Sequence, residues 1–218
     1  TGIATPDVES ELRAALDARG ASFAADAYAR VSGSPGVCEG PSGGGATYLL
    51  PGLAEAEDSC VPVVGLNTTI PVRYRGRGVL TELDQASLFD PVTKWNASVD
   101  NPEQVPRKVR EAFRQATAGR PGPTAVILDG DAVSEEFPED ATPPVWDDER
   151  QVRNWQSQPT DRDVATAVEH LEAAERPVII AGNGVHAAGA YDELQAVADA
   201  YDAVVATSYL GKSTIPET

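Results

Sequence analysis

The sequence predicts an α/β protein, with a parallel sheet covered by helices on both faces and part of a second α/β unit after it. Two observations carry that reading. Apolar runs of strand length, Val61–Leu66, Thr124–Leu128 and Val178–Ala181, alternate with helical segments, and they are apolar nearly throughout, as strands buried on both faces are. Between them lies an acidic stretch without sustained periodicity, Asp131–Thr160, carrying Pro138, Pro143, Pro144 and Pro159, which reads as an interdomain linker. The expected organisation is a first domain over 1–131, a linker over 132–160 and a partial domain over 161–218.

Each element has its own signal. Asp7–Arg19 predicts a helix, with Pro6 suited to the first turn and Leu12, Ala15 and Leu16 on one face. Ser22–Ser32 continues helically, with Phe23, Ala27 and Arg30–Val31 at helical spacing. A short strand, Gly36–Glu39, leads through Ser42-Gly43-Gly44-Gly45 into a helix expected near Ala46. Leu80–Phe89 predicts a helix, Val92–Val99 a strand, and Pro102–Ala118 an amphipathic helix carrying Val105, Val109, Ala112, Phe113 and Ala116. Gly119–Pro123 breaks that helix before the strand Thr124–Leu128. In the second unit a helix over Asp161–Ala174, the strand Val178–Ala181, the turn Gly182-Asn183-Gly184, a helix over Ala190–Tyr201 and a strand over Ala203–Thr207 follow. One strand–helix–strand unit leaves a sheet open, so the second domain is expected to be incomplete.

The chain has 218 residues, with 34 acidic against 17 basic ones, a net charge of −17. Only Lys94, Lys108 and Lys212 are lysines. A polyanion attracts neither nucleic acid nor an anionic membrane surface. The carboxylates are dispersed, which reads as adaptation to high salt, where screening makes a dense acidic surface tolerable. Cys38 and Cys60 sit in apolar surroundings and read as buried free thiols. No apolar run approaches the roughly 18 residues that span a membrane. The chain opens at Thr1 without a signal-peptide pattern, which points to a cytoplasmic protein and a trimmed or fragmentary chain. His170 is expected in a helix and His186 in a loop, with surface or capping roles, and no metal ligands are expected.

The window Phe23–Leu66 carries the chemistry. Its three glycines permit positive φ and strip Cβ atoms from the approach to the main chain. The helix that follows adds free N–H groups and a positive dipole end. The order of motifs here resembles the pyrimidine-binding domain of thiamine-diphosphate enzymes of the acetolactate synthase type. Ala24–Arg30 reads AADAYAR, Gly36–Cys38 GVC, Ser42–Tyr48 SGGGATY, Gly52–Ala56 GLAEA and Asp58–Val64 DSCVPVV. Downstream, Pro91–Trp95 (PVTKW), Gly119–Pro123 (GRPGP), Arg176–Gly184 (RPVIIAGNG) and Gly211–Glu217 (GKSTIPE) continue the match into a Rossmann-like central domain.

The resemblance implies a carboligase or decarboxylase acting on 2-oxo acids, in the family's role of branched-chain amino acid biosynthesis, with thiamine diphosphate and Mg²⁺ as cofactors. The family places the cofactor between the first domain of one subunit and a third, diphosphate-binding domain of its partner, in homodimers or homotetramers. The Mg²⁺ ligands are expected on that third domain. Gly130-Asp131-Ala132, with Asn154 downstream, bears a superficial likeness to its Gly-Asp-Gly…Asn motif, but follows the first domain's last strand and reads as linker. Carried over position by position, the resemblance assigns Ser42, Gly43, Gly44, Gly45 and Tyr48 to the thiamine side and Thr81, Glu82 and Lys94 to the substrate. Gly182, Asn183, Gly184 and Thr207 are assigned to FAD or another nucleotide in the central domain. Arg73, Arg75 and Arg77 either meet a substrate carboxylate or pair with local acids.

One departure bears on activity. The family's glutamate, which hydrogen-bonds the pyrimidine and activates the cofactor, aligns with Ala18, and a methyl group relays no proton. Asp17 is one position away. The asparagine ending the glycine motif is Tyr48, its proline is Gly44, and the family glutamine near the substrate is Thr81. No catalytic residue is therefore assigned. An enzyme of glyoxylate carboligase type, which also has an apolar residue at the glutamate position, remains open. So do an inactive fragment acting as a binding or oligomerisation module, and a nucleotide-binding protein using only Gly182–Gly184.

Overall fold

The computed structural model describes residues 17–137, 143–146 and 158–216. The chain divides into two compact units, Thr1–Trp155 and Gln156–Thr218. Of the helix expected over 7–19, only the last three residues are described. The stretch over 138–157, apart from 143–146, likewise lies outside the described residues, as does Asn154.

The first unit is a four-stranded parallel sheet in the order β1-β2-β4-β3. Helix α1 (Ala18–Ser32) begins on Asp17, whose Oδ1 accepts the Gly20 N–H at 2.7 Å, and ends on Gly33 at φ 70°. Strand β1 (Gly36–Gly40) leads into helix α2 (Gly44–Asp58), then strand β2 (Val63–Thr69). A long loop and the short helix α3 (Gln85–Phe89) precede strand β3 (Trp95–Val99). Helix α4 (Val105–Thr117) returns the chain to strand β4 (Thr124–Asp129), which runs into the short helix α5 (Gly130–Ser134).

Central strands explain the unbroken apolar runs. On one face Val63, Ala125 and Ile127 pack with Leu49, Leu53 and Phe89 beneath α1, α2 and α3. On the other, Val64, Val99 and Val126 pack with Ala112 and Ala116 of α4. The sheet is thus covered on both faces, as the sequence predicts.

Several local expectations are corrected. The buried face of α1 is Ser22, Ala25, Asp26 and Ala29, whereas Phe23 and Val31 are exposed. The reason is close helix packing: a Cβ on Gly52 of α2 would stand 2.3 Å from Ser22 Oγ, so only small residues fit between α1 and α2. The helix expected over Leu80–Phe89 shrinks to Gln85–Phe89 because Thr81 takes φ 67° and Asp84 caps the helix by accepting the Ser87 N–H at 3.2 Å. β3 starts at Trp95 rather than Val92 because Asp90–Val92 forms a 3₁₀ turn, with the Thr93 hydroxyl donating to Phe89 O at 2.9 Å. Cys38 is buried, and burial pushes its thiol up to about 12. Cys60 is only half-buried, at φ 58°, with Arg120 Nε donating to its sulfur at 2.8 Å.

The second unit contains helix α6 (Asp161–Glu172), strand β5 (Val178–Ala181), helix α7 (Asn183–Ala188), helix α8 (Tyr191–Ala200) and strand β6 (Val204–Thr207). β5 and β6 pair in parallel. α6 starts with a capping box in which Thr160 and Asp163 exchange hydrogen bonds. The expected turn Gly182-Asn183-Gly184 is instead the N-cap and first two residues of α7, and His186 lies within that helix rather than in a loop.

Candidate functional site

In a parallel sheet the carboxyl ends of the strands form one edge, where the connecting loops gather and ligands are taken. Here that edge holds Gly40, Thr69, Val99 and Asp129. The glycine turn leaves it from β1. Only Gly43 takes a positive φ, at φ 66° and ψ −124°, a region open to glycine alone. It serves as N-cap of α2 with no side-chain hydrogen bond, so α2 begins at Gly44, two residues before the expected start. A Cβ on Gly43 would lie 2.8 Å from Thr81 Cβ, and one on Gly45 would lie 2.3 Å from Pro41 Cγ. Gly44, by contrast, is exposed with nothing within 4 Å of its Cβ position. The turn therefore has a closed side, under Thr81, and an open side at Gly44.

The loop over 70–84 closes the first side. Ser42 Oγ donates to Thr81 Oγ1 at 3.0 Å, and Thr81 holds φ 67°, uncommon for a β-branched residue. Glu82 folds its carboxylate back on its own loop, accepting N–H groups of Gly76, Gly78 at 2.7 Å and Val79 at 3.3 Å. Those bonds, that from Gly76 foremost, hold the Glu82 carboxyl below its ordinary range. The Ser87 hydroxyl and N–H do the same for Asp84. Two of the three arginines pair with acids at the end of β4: Arg75 with Asp129 and Arg73 with Asp131. The Asp129 side chain is 1% exposed; burial raises its pKa against the opposing pull of Arg75. The Arg77 guanidinium has no acidic partner among the described residues.

Ser42, Gly43, Gly44, Gly45, Thr81 and Glu82 thus come together at one edge. Tyr48 lies on α2 with its ring exposed. Lys94 does not join them. It stands before β3, at the opposite edge of the sheet, and Nζ donates to Ala118 O and Arg120 O, each at 2.7 Å; the helix-ending carbonyls claim its charge. Ala18 opens α1, half-buried against the apolar cluster beneath the sheet, and Asp17 is the helix cap.

Sequence reasoning missed three polar residues near the same edge. Asn67 on β2 is fully buried, and neither side-chain amide atom has a hydrogen-bond partner. Gln85 donates from Nε2 to Thr68 O at 2.8 Å, and Asp129 ends β4. The available signal was a polar residue interrupting or ending an apolar run.

In the second unit Gly182 has an extended φ of −114°, and Thr207 pairs with Ala181. His186 Nε2 lies 3.0 Å from Lys212 O and Nδ1 3.0 Å from the Tyr191 hydroxyl. An open depression of about 450 Å³ is lined by Tyr191 and Ser213–Pro216 and does not include Gly182, Asn183 or Gly184. Among the described residues no group of three His, Cys, Asp or Glu side chains is placed to hold a metal ion, and no helix is long and apolar enough to cross a membrane.

Comparison with known proteins agrees with this layout. Residues 5–88 match the thiamine pyrophosphate enzyme N-terminal TPP binding domain, and residues 164–218 match the thiamine pyrophosphate enzyme central domain. A probable acetolactate synthase large subunit of Methanocaldococcus jannaschii is 37% identical over 202 residues, covering 90% of this chain and 33% of that protein. The acetolactate synthase large subunit of Corynebacterium glutamicum is 35% identical over 201 residues, covering 91% and 31%. The chloroplastic acetolactate synthase of Arabidopsis thaliana is 33% identical over 202 residues, covering 91% and 29%. The chain spans about a third of the length of the curated relatives it matches. Its two matched domains, in that order, make it a member of the thiamine pyrophosphate enzyme family, similar across both to acetolactate synthase large subunits.

Proposed function

We propose that this chain supplies the aminopyrimidine side of a thiamine-diphosphate site in a carboligase or decarboxylase of acetolactate synthase type, acting on 2-oxo acids. The observation that carries the reading is the turn at the carboxyl edge of the sheet, with Gly43 at φ 66° and Gly44 open in front of α2. Backbone groups at such a turn approach a flat ring without steric hindrance. The residues fit a binding role: Ser42, Gly43, Gly44, Gly45 and Tyr48 on the ring side, and Thr81 at its rim. Glu82 acts through the loop it holds, since its carboxylate is engaged by main-chain N–H groups. Thiamine diphosphate, when bound, supplies the carbanion stabilisation that 2-oxo acid chemistry requires. We assign Mg²⁺ and the diphosphate to the family's third domain, and dimeric or tetrameric assembly to the full-length protein. FAD, if used, falls to Gly182, Asn183, Gly184 and Thr207.

One observation favours a second reading, a non-catalytic binding or oligomerisation module. Ala18, which the resemblance aligns with the family's glutamate, packs with the apolar cluster, and a methyl group relays no proton. Titrating the ¹⁵N-labelled chain with 4-amino-2-methylpyrimidine separates these from a nucleotide-binding protein. Shifts confined to the amides of Ser42–Ala46 and Thr81 are expected; an unresponsive turn, with ADP moving Gly182–Val185 instead, would sink the ring-binding reading. Calorimetry with thiamine diphosphate and Mg²⁺ should show little affinity in this chain, and tight Mg²⁺-dependent binding would overturn the assignment of the diphosphate to another domain. The acidic surface we read as adaptation to high salt.

A further inference from the structure

The segment Asp129-Gly130-Asp131, whose last two residues read from sequence as linker, is the place where the 70–84 loop is fastened. Pro71 presses on Gly130, where an added Cβ would stand 2.7 Å from Pro71 Cδ. Asp131 accepts the Val72 N–H at 3.1 Å through Oδ2 and pairs with Arg73 through Oδ1. Asp129 pairs with Arg75. The last residue of β4 and the first two of α5 thereby engage Pro71, Val72, Arg73 and Arg75 of the loop.

From there a continuous chain of contacts runs to the glycine turn. Arg75 precedes Gly76, whose N–H donates to Glu82. Glu82 also gathers Gly78 and Val79, and Gly76 and Gly78 take φ 74° and 65° to present their N–H groups inward. Next to Glu82, Thr81 accepts from Ser42 and covers Gly43. Each link is a hydrogen bond, an ion pair or a peptide bond, except the last, where Thr81 packs over Gly43.

We propose that Asp129 is a positioning residue which, through Arg75 and the Glu82-bound loop, sets Thr81 against Gly43 and so fixes the closed side of the ring-binding turn. The Asp129 side chain is almost wholly buried while Arg75 is about half-exposed, at 48%. The fixed partner is therefore the acid on the sheet and the carried partner is the arginine on the loop. Its role in shaping the ring site rests on the proposed function; the mechanical link from Asp129 to Thr81 does not.

Amide hydrogen exchange and amide shifts of the ¹⁵N-labelled chain test it. In Asp129→Asn, exchange at Gly76, Gly78 and Glu82 should rise at least tenfold, and the Ser42, Gly43 and Thr81 signals should move. Val64, Leu66 and Val126 in the central strands should stay within twofold. Arg75→Gln should reproduce the pattern from the exposed side, where folding is not at stake, and Arg75→Lys should restore part of it. Unchanged loop and turn amides in Arg75→Gln would overturn the proposal, and so would core amides accelerating in parallel with the loop, which marks a merely structural residue. Titration with 4-amino-2-methylpyrimidine reports separately: silence there removes the ring site and leaves the exchange result standing.

Discussion

At the scale of single residues, neighbouring glycines that look alike in the sequence differ in what they tolerate. Gly43 needs a backbone conformation closed to other residues and has Thr81 against it. Gly43→Ala should cost about 2 kcal/mol or more, the sum of a disallowed dihedral and an overpacked contact. Gly44 is helical and open, so Gly44→Ala should be neutral or stabilising by up to about 1 kcal/mol. Urea denaturation of the two variants measures both. Titration separates the carboxylates in the same way. Asp129, with its pKa raised by burial, is more easily protonated folded than unfolded. Its contribution to stability therefore declines as pH rises from the ordinary carboxylate value, about 3.9, through the raised one. Glu82 and Asp84 are depressed, so their contribution is complete above the ordinary range and is lost as pH falls through the lower folded value. Relative to the parent chain, Asp129→Asn should gain stability as pH rises above the ordinary carboxylate value in paired denaturation curves. A difference that is flat with pH, or of opposite sign, contradicts the assignment.

At the scale of elements, the α1–α2 contact depends on small residues. Gly52 meets Ser22 so closely that an added Cβ would stand 2.6 Å from the Ser22 backbone carbon. Backbone cannot yield as a side chain does, so Gly52→Ala should lower stability by about 1–3 kcal/mol, read as a shift in urea midpoint. Across the same contact, Arg30 of α1 pairs with its helix neighbour Asp26 at 2.8 Å and with Glu55 of α2 at 3.0 Å. β2, β4 and α4 were legible because periodicity reports burial directly. The 70–84 segment was not. Its helical pattern is overridden by Thr81 at positive φ and by a carboxylate gathering main-chain N–H groups, neither of which has a periodic signature.

At the scale of the whole molecule, the dominant feature is charge. A net −17 over 218 residues sets up self-repulsion that opposes the compact state at low ionic strength. Screening shortens its reach to about 3 Å at 1 M salt. The melting temperature should therefore climb from dilute buffer to molar KCl; a melt indifferent to KCl would remove salt adaptation as the explanation of the surface.

The sequence alone determined the parallel α/β architecture, the family and the glycine turn, because burial on both faces and contiguous motifs are local properties of the chain. Only the tertiary structure decided which candidates belong together. Thr81 meets Gly43 across 38 positions of sequence, while Lys94, inside an equally recognisable motif, lies at the far edge of the sheet and serves the end of α4. Likewise Asp129, unremarked in the sequence, becomes the anchor of the loop because β4 ends beside it and buries its carboxylate. Such pairings are set by strand order and loop closure, which place residues distant in the chain at one edge, and no local pattern encodes them.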